Sequence, residues 1–428
     1  MDLVVEGKAY INGTFENCCI GIDDGKISEI KKTLKGDGHL DFGNKLIMPA
    51  GVDAHVHFRD PGMTNKEDFA SGSLSAAFGG ISCVFDMPNT IPQTVTVQAI
   101  ADKISSADKK SYVDFGVYAG VTSDNLSHIE RLGKKCSGFK IYLGNTTIAL
   151  LFDKNKLHEA IDLIGITDKP VLFHAEDEEC LIKNKSQETG ISDHMRFRPS
   201  SCEEISIRDI FQASNGLNTR VHICHVSSGE GLELLKKKPS NISFGITPHH
   251  CLLSAEKSMG SQTFYKVNPP IRTSFDKELL FNSVKNGAAD ILESDHAPHT
   301  CEEKDADFDV APSGLPGVET LYPLFLYMAK KEMIPFQRVV SLLCTRPSDL
   351  LQVPKGKIAV GYDADLIVVD LKEDECKIKS DMLHSKCGWT PFEDWPAVFP
   401  SHMFVRGEKL IEDHEIQVKQ GYGRFVGA

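Results

Sequence analysis

The sequence predicts an α/β protein, a TIM-like (β/α)8 barrel with a small β domain formed by both chain termini. Three observations predict it. From Leu46 to Leu292 eight short apolar stretches alternate with segments of helical periodicity, the pattern of successive βα units around a parallel sheet. The two ends of the chain read instead as short strands separated by tight turns. At 428 residues the chain has room for a barrel of about 250 residues and one smaller domain beside it.

Taken in order, residues 1–45 offer strands at Leu3–Val5, Cys19–Ile22 and Ile27–Ile30, the last two joined by the turn Asp23-Asp24-Gly25-Lys26, as in an antiparallel layer. The barrel strands are expected at Leu46–Phe58, Ile81–Met87, Val113–Val121, Gly138–Leu143, Val171–His174, Val221–Val226, Ile242–Ile246 and Ala289–Leu292. Amphipathic segments lie between them, including Lys66–Phe78, Val97–Ser106, Lys156–Ile164, Ile205–Ser214, Gly231–Lys238 and Lys277–Lys285. Eight units favour a closed barrel, although eight strands also suit an open, doubly wound sheet. Gly317–Met333 and Phe336–Leu351 read as two further helices. Beyond Pro354 strands return at Ala364–Val369 and Met403–Val405. Residues 1–45 and 354–428 are therefore expected to form one small β-sandwich-like domain and 46–353 the barrel, since domain termini tend to lie close together.

Composition narrows the function classes. A formal net charge of −13 argues against a broad nucleic-acid surface. The stretch Met1–Tyr10 mixes Asp2, Glu6 and Lys8 into a short apolar alternation, so neither a signal peptide nor a membrane anchor is expected. The twelve cysteines form no Cys-x-x-Cys pair and are scattered through apolar segments, as at Cys83, Cys224 and Cys344. Reduced, buried thiols in a cytoplasmic protein are the expectation.

The chemistry-bearing residues cluster where a barrel places an active site, at the carboxyl ends of its strands. In Asp53-Ala54-His55-Val56-His57-Phe58-Arg59-Asp60 the strand period sends His55, His57 and Arg59 to one face, the imidazoles about 7 Å apart along the strand. Alone, this motif is as much chance as zinc seat. Lys140 sits inside the fourth strand, where an ammonium facing the interior is costly unless paired or chemically changed; an outward register or a buried ion pair stays open. His174 ends the fifth strand and His225 the sixth. Glu293-Ser294-Asp295-His296-Ala297-Pro298-His299 ends the eighth, where Asp295 is positioned as both metal ligand and proton shuttle. Independent structural roles do not easily explain so many ligand types at the ends of strands one, four, five, six and eight.

These residues resemble the amidohydrolase superfamily. The resemblance implies two zinc ions per chain, one on His55, His57 and Asp295, the other on His174 and His225, bridged by a carboxylated Lys140. Carbon dioxide would turn an unwelcome cation into an anionic ligand, and two cations could share a hydroxide while polarising a carbonyl. Four further segments resemble dihydroorotases of the longer-chain class: His55–Gly62, Asp86-Met87-Pro88-Asn89-Thr90, Val267-Asn268-Pro269-Pro270-Ile271-Arg272 and Pro312–Thr320. By this resemblance Arg59, Asn89 and His299 grip the ring carboxylate, while Asn268 and the backbone around Gly314 contact the pyrimidine ring. Thr146, six residues beyond Lys140, takes the place of a lid residue, but Thr147 stands where relatives often carry an aromatic. Structural alternatives stay open: Arg59 could bond Asp60 or Glu67, and Asn89 could shape a turn.

The activity so implied is the reversible cyclisation of N-carbamoyl-L-aspartate to L-dihydroorotate in pyrimidine biosynthesis. A hydroxide bridging the metals would attack the ring amide, with Asp295 moving the proton. Allantoinase or hydantoinase is the nearest alternative, but neither substrate has a ring carboxylate for Arg59. A non-catalytic scaffold is the other, and such relatives typically lose metal ligands. The expected partner is a small-molecule substrate, with neither nucleic acid nor membrane; a homo-oligomer or association with aspartate carbamoyltransferase is left open. His249 and His250 read as structural, and Asp177–Pro199, with Arg196 and Arg198, receives no chemistry.

Overall fold

The computed structural model describes residues 1–146, 150–256 and 261–427; Thr147 of the expected lid lies outside them. Eight parallel strands, Gly51–Val56, Ile81–Asp86, Asp114–Gly120, Gly138–Tyr142, Val171–His174, Val221–Ile223, Ile242–Ile246 and Ile291–Leu292, pair in sequence order. The ring meets itself where Val56 bridges His296 and the His57 N–H donates to the His296 carbonyl at 2.8 Å. This is a TIM-like (β/α)8 barrel, and nearly every strand residue is buried because helices sheathe the outer face. Helix Leu157–Gly165 shows why: Leu157, Ala160, Ile161 and Ile164 fall on one stripe and all are buried. Helix starts are capped locally, as where Asp68 accepts from the Ala70 and Ser71 N–H groups ahead of Phe69–Phe78.

The stretch read as one strand, Leu46–Phe58, is two. Gly38–Pro49 belongs to a second eight-stranded sheet, and the barrel begins only at Gly51. Both pieces are apolar and buried, so hydrophobicity carries no mark of the change of sheet at Ala50. The second sheet therefore runs past the boundary expected at residue 45. In it Gly38–Pro49 pairs in parallel with Leu3–Ile11 on one side and antiparallel with Leu366–Val369 on the other. The parallel contact departs from the all-antiparallel layer expected. Apolar residues from both termini, among them Val5, Ile20, Ile47, Leu366 and Phe404, share one cluster.

Residues 354–428 are not confined to that sheet. Trp389 reaches the barrel mouth, donating Nε1–H to the His299 carbonyl at 2.8 Å, while Val426 at the other end donates its N–H to Phe115 at 2.8 Å on the third barrel strand. The expectation of reduced, buried thiols is also corrected. Cys180 and Cys202 form a disulfide, and Cys301 is exposed. The Asp177–Pro199 excursion returns on itself, with the Asp177 N–H on the Cys202 carbonyl, and brings the two Cα atoms to 5.3 Å, within bridging reach. Among the described residues no helix is long and apolar enough to cross a membrane.

Candidate active site

At the mouth of the barrel, ring nitrogens and a carboxylate converge. His55 Nε2 lies 3.2 Å from His57 Nε2, and Asp295 Oδ1 lies 3.3 and 3.1 Å from the two. Donors held about 2.0–2.1 Å from one tetrahedral zinc are roughly 3.3 Å from each other, so this spacing suits a cation at their centre. The tautomers agree. His57 Nδ1 faces the Asn89 amide oxygen at 2.7 Å, and donating there leaves a lone pair on Nε2. Two imidazole lone pairs facing each other repel unless a cation lies between them.

A second pair stands beside the first. His174 Nδ1 is 3.2 Å from His225 Nε2, and the His55 and His225 ring centres are 5.2 Å apart. His174 Nε2 bonds Glu176 at 2.8 Å, which again turns a lone pair inward. Glu176 is in turn held by Arg198, whose Nη2 donates to it at 2.5 Å. Burial opposes the charge on Glu176, but Arg198 and His174 hold its carboxyl well below the usual range. Lys140 reaches the same space, fully buried, and its Nζ touches Cys224 Sγ at 3.1 Å. No carboxylate pairs with it among the described residues.

Electrostatics favour neutral imidazoles here. Burial and then the Lys140 charge push His55 down to about 4, while burial and Arg59 hold His57 well below its ordinary value. Burial raises Asp295. Three residues of the mouth, Arg59, His225 and Asp295, have φ of 60°, 40° and 46°, a left-handed backbone that side chains rarely adopt and that functional sites often retain. Glu293 anchors two of the walls: its Oε1 accepts from the His225 N–H at 2.6 Å and its Oε2 lies 3.6 Å from His55 Nδ1.

The cavity above the donors is lined by Arg59, Asn89, Thr146, Asn268 and Gly314 of the expected contacts, together with Tyr142. Arg59 is buried and makes no ion pair among the described residues; it donates to the Pro298 carbonyl and touches His299 Nε2 at 3.2 Å. Asp60 is taken by Lys110 at 2.6 Å and Glu67 by Ser71 and Ser385, so neither neutralises it. Asn268 Oδ1, Thr146 Oγ1 and the Tyr142 hydroxyl are buried without a hydrogen-bond partner among the described residues. At Gly314, with φ of 148°, a Cβ would meet the Ala297 carbonyl at 2.4 Å, so only glycine lets this wall approach. His299 stands behind Arg59 rather than on the cavity surface.

The amidohydrolase family model matches residues 46–409. The chain belongs to the amidohydrolase family. Dihydroorotase from Methanosarcina acetivorans is 38% identical across 98% of this amidohydrolase and 94% of its own length, and dihydroorotase from Thermoplasma volcanium is 39% identical across 100% and 98%. Among solved structures, L-hydantoinase from Arthrobacter aurescens superposes with a TM-score of 0.95 at 27% identity, covering all of both chains. Chemistry of this family requires a metal, and the donor set described above fits one.

Sequence reasoning missed the residues that orient the donors of this amidohydrolase. Arg198 lies in the segment given no chemistry. Glu176 and Glu293 stand in motifs already noticed, two residues from His174 and from Asp295, and that adjacency was the available signal. Tyr142, two residues beyond Lys140 on the same strand face, was signalled by the strand period. His249 is buried with Nε2 unpartnered among the described residues, and His250 bonds the Pro269 carbonyl at 3.0 Å.

Proposed function

We propose that this chain is a dihydroorotase that interconverts N-carbamoyl-L-aspartate and L-dihydroorotate, with two zinc ions held by His55, His57 and Asp295 and by His174 and His225, and a carboxylated Lys140 between them. The single observation that carries the substrate is Arg59, a buried guanidinium with no anionic partner among the described residues, facing the donor cluster across a small cavity. A planar carboxylate on the substrate ring would give it the bidentate partner it lacks. Lys140 supports the bridge in the same way, since among the described residues its buried ammonium has no carboxylate partner, whereas an anionic carbamate would be paired by the two cations.

When bound, the cations would supply Lewis acidity and water activation at neutral pH. The chain's own groups do the rest. Arg59 and Asn89 orient the carboxylate, with His299 backing the guanidinium. Asn268 and the Tyr142 and Thr146 hydroxyls offer hydrogen bonds that nothing among the described residues satisfies. Asp295 takes the proton of the attacking water and delivers it to the ring nitrogen, and returns it along the same path in cyclisation. All these groups lie in one chain, so neither a homo-oligomer nor a complex with aspartate carbamoyltransferase is required for the site.

The hydantoinase likeness favours a second cyclic amide as substrate, and it shares the fold. It leaves Arg59 without a carboxylate. Side-by-side assays on dihydroorotate, hydantoin and allantoin with protein of measured zinc content test the choice. Turnover of dihydroorotate well above the other two is expected, and preference for hydantoin would overturn the reading.

A further inference from the structure

Lys304 ends the short helix Cys301–Lys304 behind the cavity and is fully buried. Its Nζ donates to three main-chain carbonyls, Pro312 at 2.9 Å, Gly314 at 3.1 Å and Lys266 at 3.1 Å. The Gly314 N–H donates to the Lys266 carbonyl as well, at 3.0 Å. These carbonyls bracket Ser313 and Gly314 on one wall of the cavity and adjoin Val267 and Asn268 on the other, and all four residues line it. No carboxylate pairs with Lys304 among the described residues, for Glu303 is engaged by Lys66 at 2.8 Å. The Trp389 ring lies 5.7 Å away and closes the site from outside.

We infer that Lys304 is a positioning residue for substrate, its ammonium clamping the Lys266–Asn268 and Pro312–Gly314 walls at the separation the pyrimidine ring needs. The inference rests on the dihydroorotase reading and its ring contacts at Asn268 and Gly314. An ammonium has three N–H groups for three carbonyls, whereas a neutral amine has two, so losing one proton leaves one carbonyl without its donor and loosens the clamp to what the Gly314 N–H on the Lys266 carbonyl still holds. The charged groups around it are Lys266, Arg59 and Glu303, with the neutral imidazole of His299 beside them. Burial, then Lys266 and Arg59, outweigh Glu303 and bring Lys304 down to about 7, which places this exchange near neutral pH.

The test uses full-length, zinc-loaded enzyme. Lys304→Met should raise KM for dihydroorotate about tenfold while kcat stays within about threefold and zinc content is unchanged. In the parent enzyme KM should climb as pH rises above about 7, and Lys304→Met should lack that climb. A folded Lys304→Met protein with unchanged KM, or one that loses kcat alone, overturns the clamp. If the variant does not fold, the parent profile decides, and a flat KM from about pH 6 to 9 overturns it. Asn268→Ala and Arg59→Lys separate the two ideas: should neither raise KM, the substrate reading itself fails, whereas a rise in both beside an unchanged Lys304→Met condemns the clamp only.

Discussion

At the base of the barrel Lys355 is ringed by carboxylates, with Asp114 and Asp365 at 2.7 Å and Asp363 at 3.0 Å, and Arg406 also pairs with Asp114. At the mouth Lys140 and Arg59 are equally buried and no carboxylate among the described residues pairs with either. Both ends remove cations from water, but carboxylates of the chain return the cost for Lys355 and, among the described residues, none does so for Lys140 or Arg59. Burial disfavours the Lys355 charge, yet Asp365 and Asp114 hold its pKa well above the ordinary value. The contrast teaches how to read buried charge. A satisfied cluster joins structure to structure, here barrel to terminal sheet, whereas an unsatisfied one waits for something from outside.

If the contrast is sound, changes at the mouth should remove activity and spare the fold, and changes at the base should do the reverse. The largest effect is expected for Asp295→Asn, which should lower kcat about 10³-fold or more with an unaltered melting curve; near-parental turnover would break the assignment of Asp295 as proton shuttle. Next is Lys355→Met, which leaves three carboxylates facing one another and should cost about 3–5 kcal/mol in chemical denaturation. Its kcat/KM per folded molecule should stay within about twofold, and a collapse of kcat/KM would erase the distinction between the two ends.

Arg59→Lys keeps the charge and loses the fork, so KM for dihydroorotate should rise about tenfold or more while zinc content is unchanged. An unchanged KM would count against the carboxylate role. The smallest effect concerns acid stability. Burial and then Arg59 push His299 down to about 3 from an ordinary 6.5, so between those pH values the unfolded chain binds more protons than the folded one. Stability from this residue is present above the upper value and is lost as pH falls across the window. His299→Gln should therefore give a shallower fall in denaturation midpoint on acidification, and an unchanged slope would remove His299 from the account.

Much of the barrel was legible because buried parallel strands are short apolar runs between amphipathic helices, and seven of the eight fall where the pattern puts them. The first does not, because Leu46–Pro49 and Gly51–Val56 are equally buried and the change of sheet leaves no trace in hydrophobicity. The donors were legible because strand ends are where a barrel presents side chains, and the structure brings His55, His57 and Asp295 within one ion's reach. The groups that aim them were not. Arg198 arrives from a polar excursion whose return path depends on contacts far apart in sequence, including the Cys180–Cys202 bridge. Lys304 donates to three main-chain carbonyls, and a partner of that kind has no residue type to search for.

The placement of Gly38–Pro49 bears on how the chain is made. Its neighbour on one edge, Leu3–Ile11, leaves the ribosome before it, and its neighbour on the other, Leu366–Val369, only after the whole barrel. Throughout synthesis the nascent protein therefore carries a long strand with one row of backbone groups open, the kind of edge that recruits other chains. Truncation before Leu366 would make that temporary hazard permanent, so the segment from Leu366 onward guards solubility before it serves anything else.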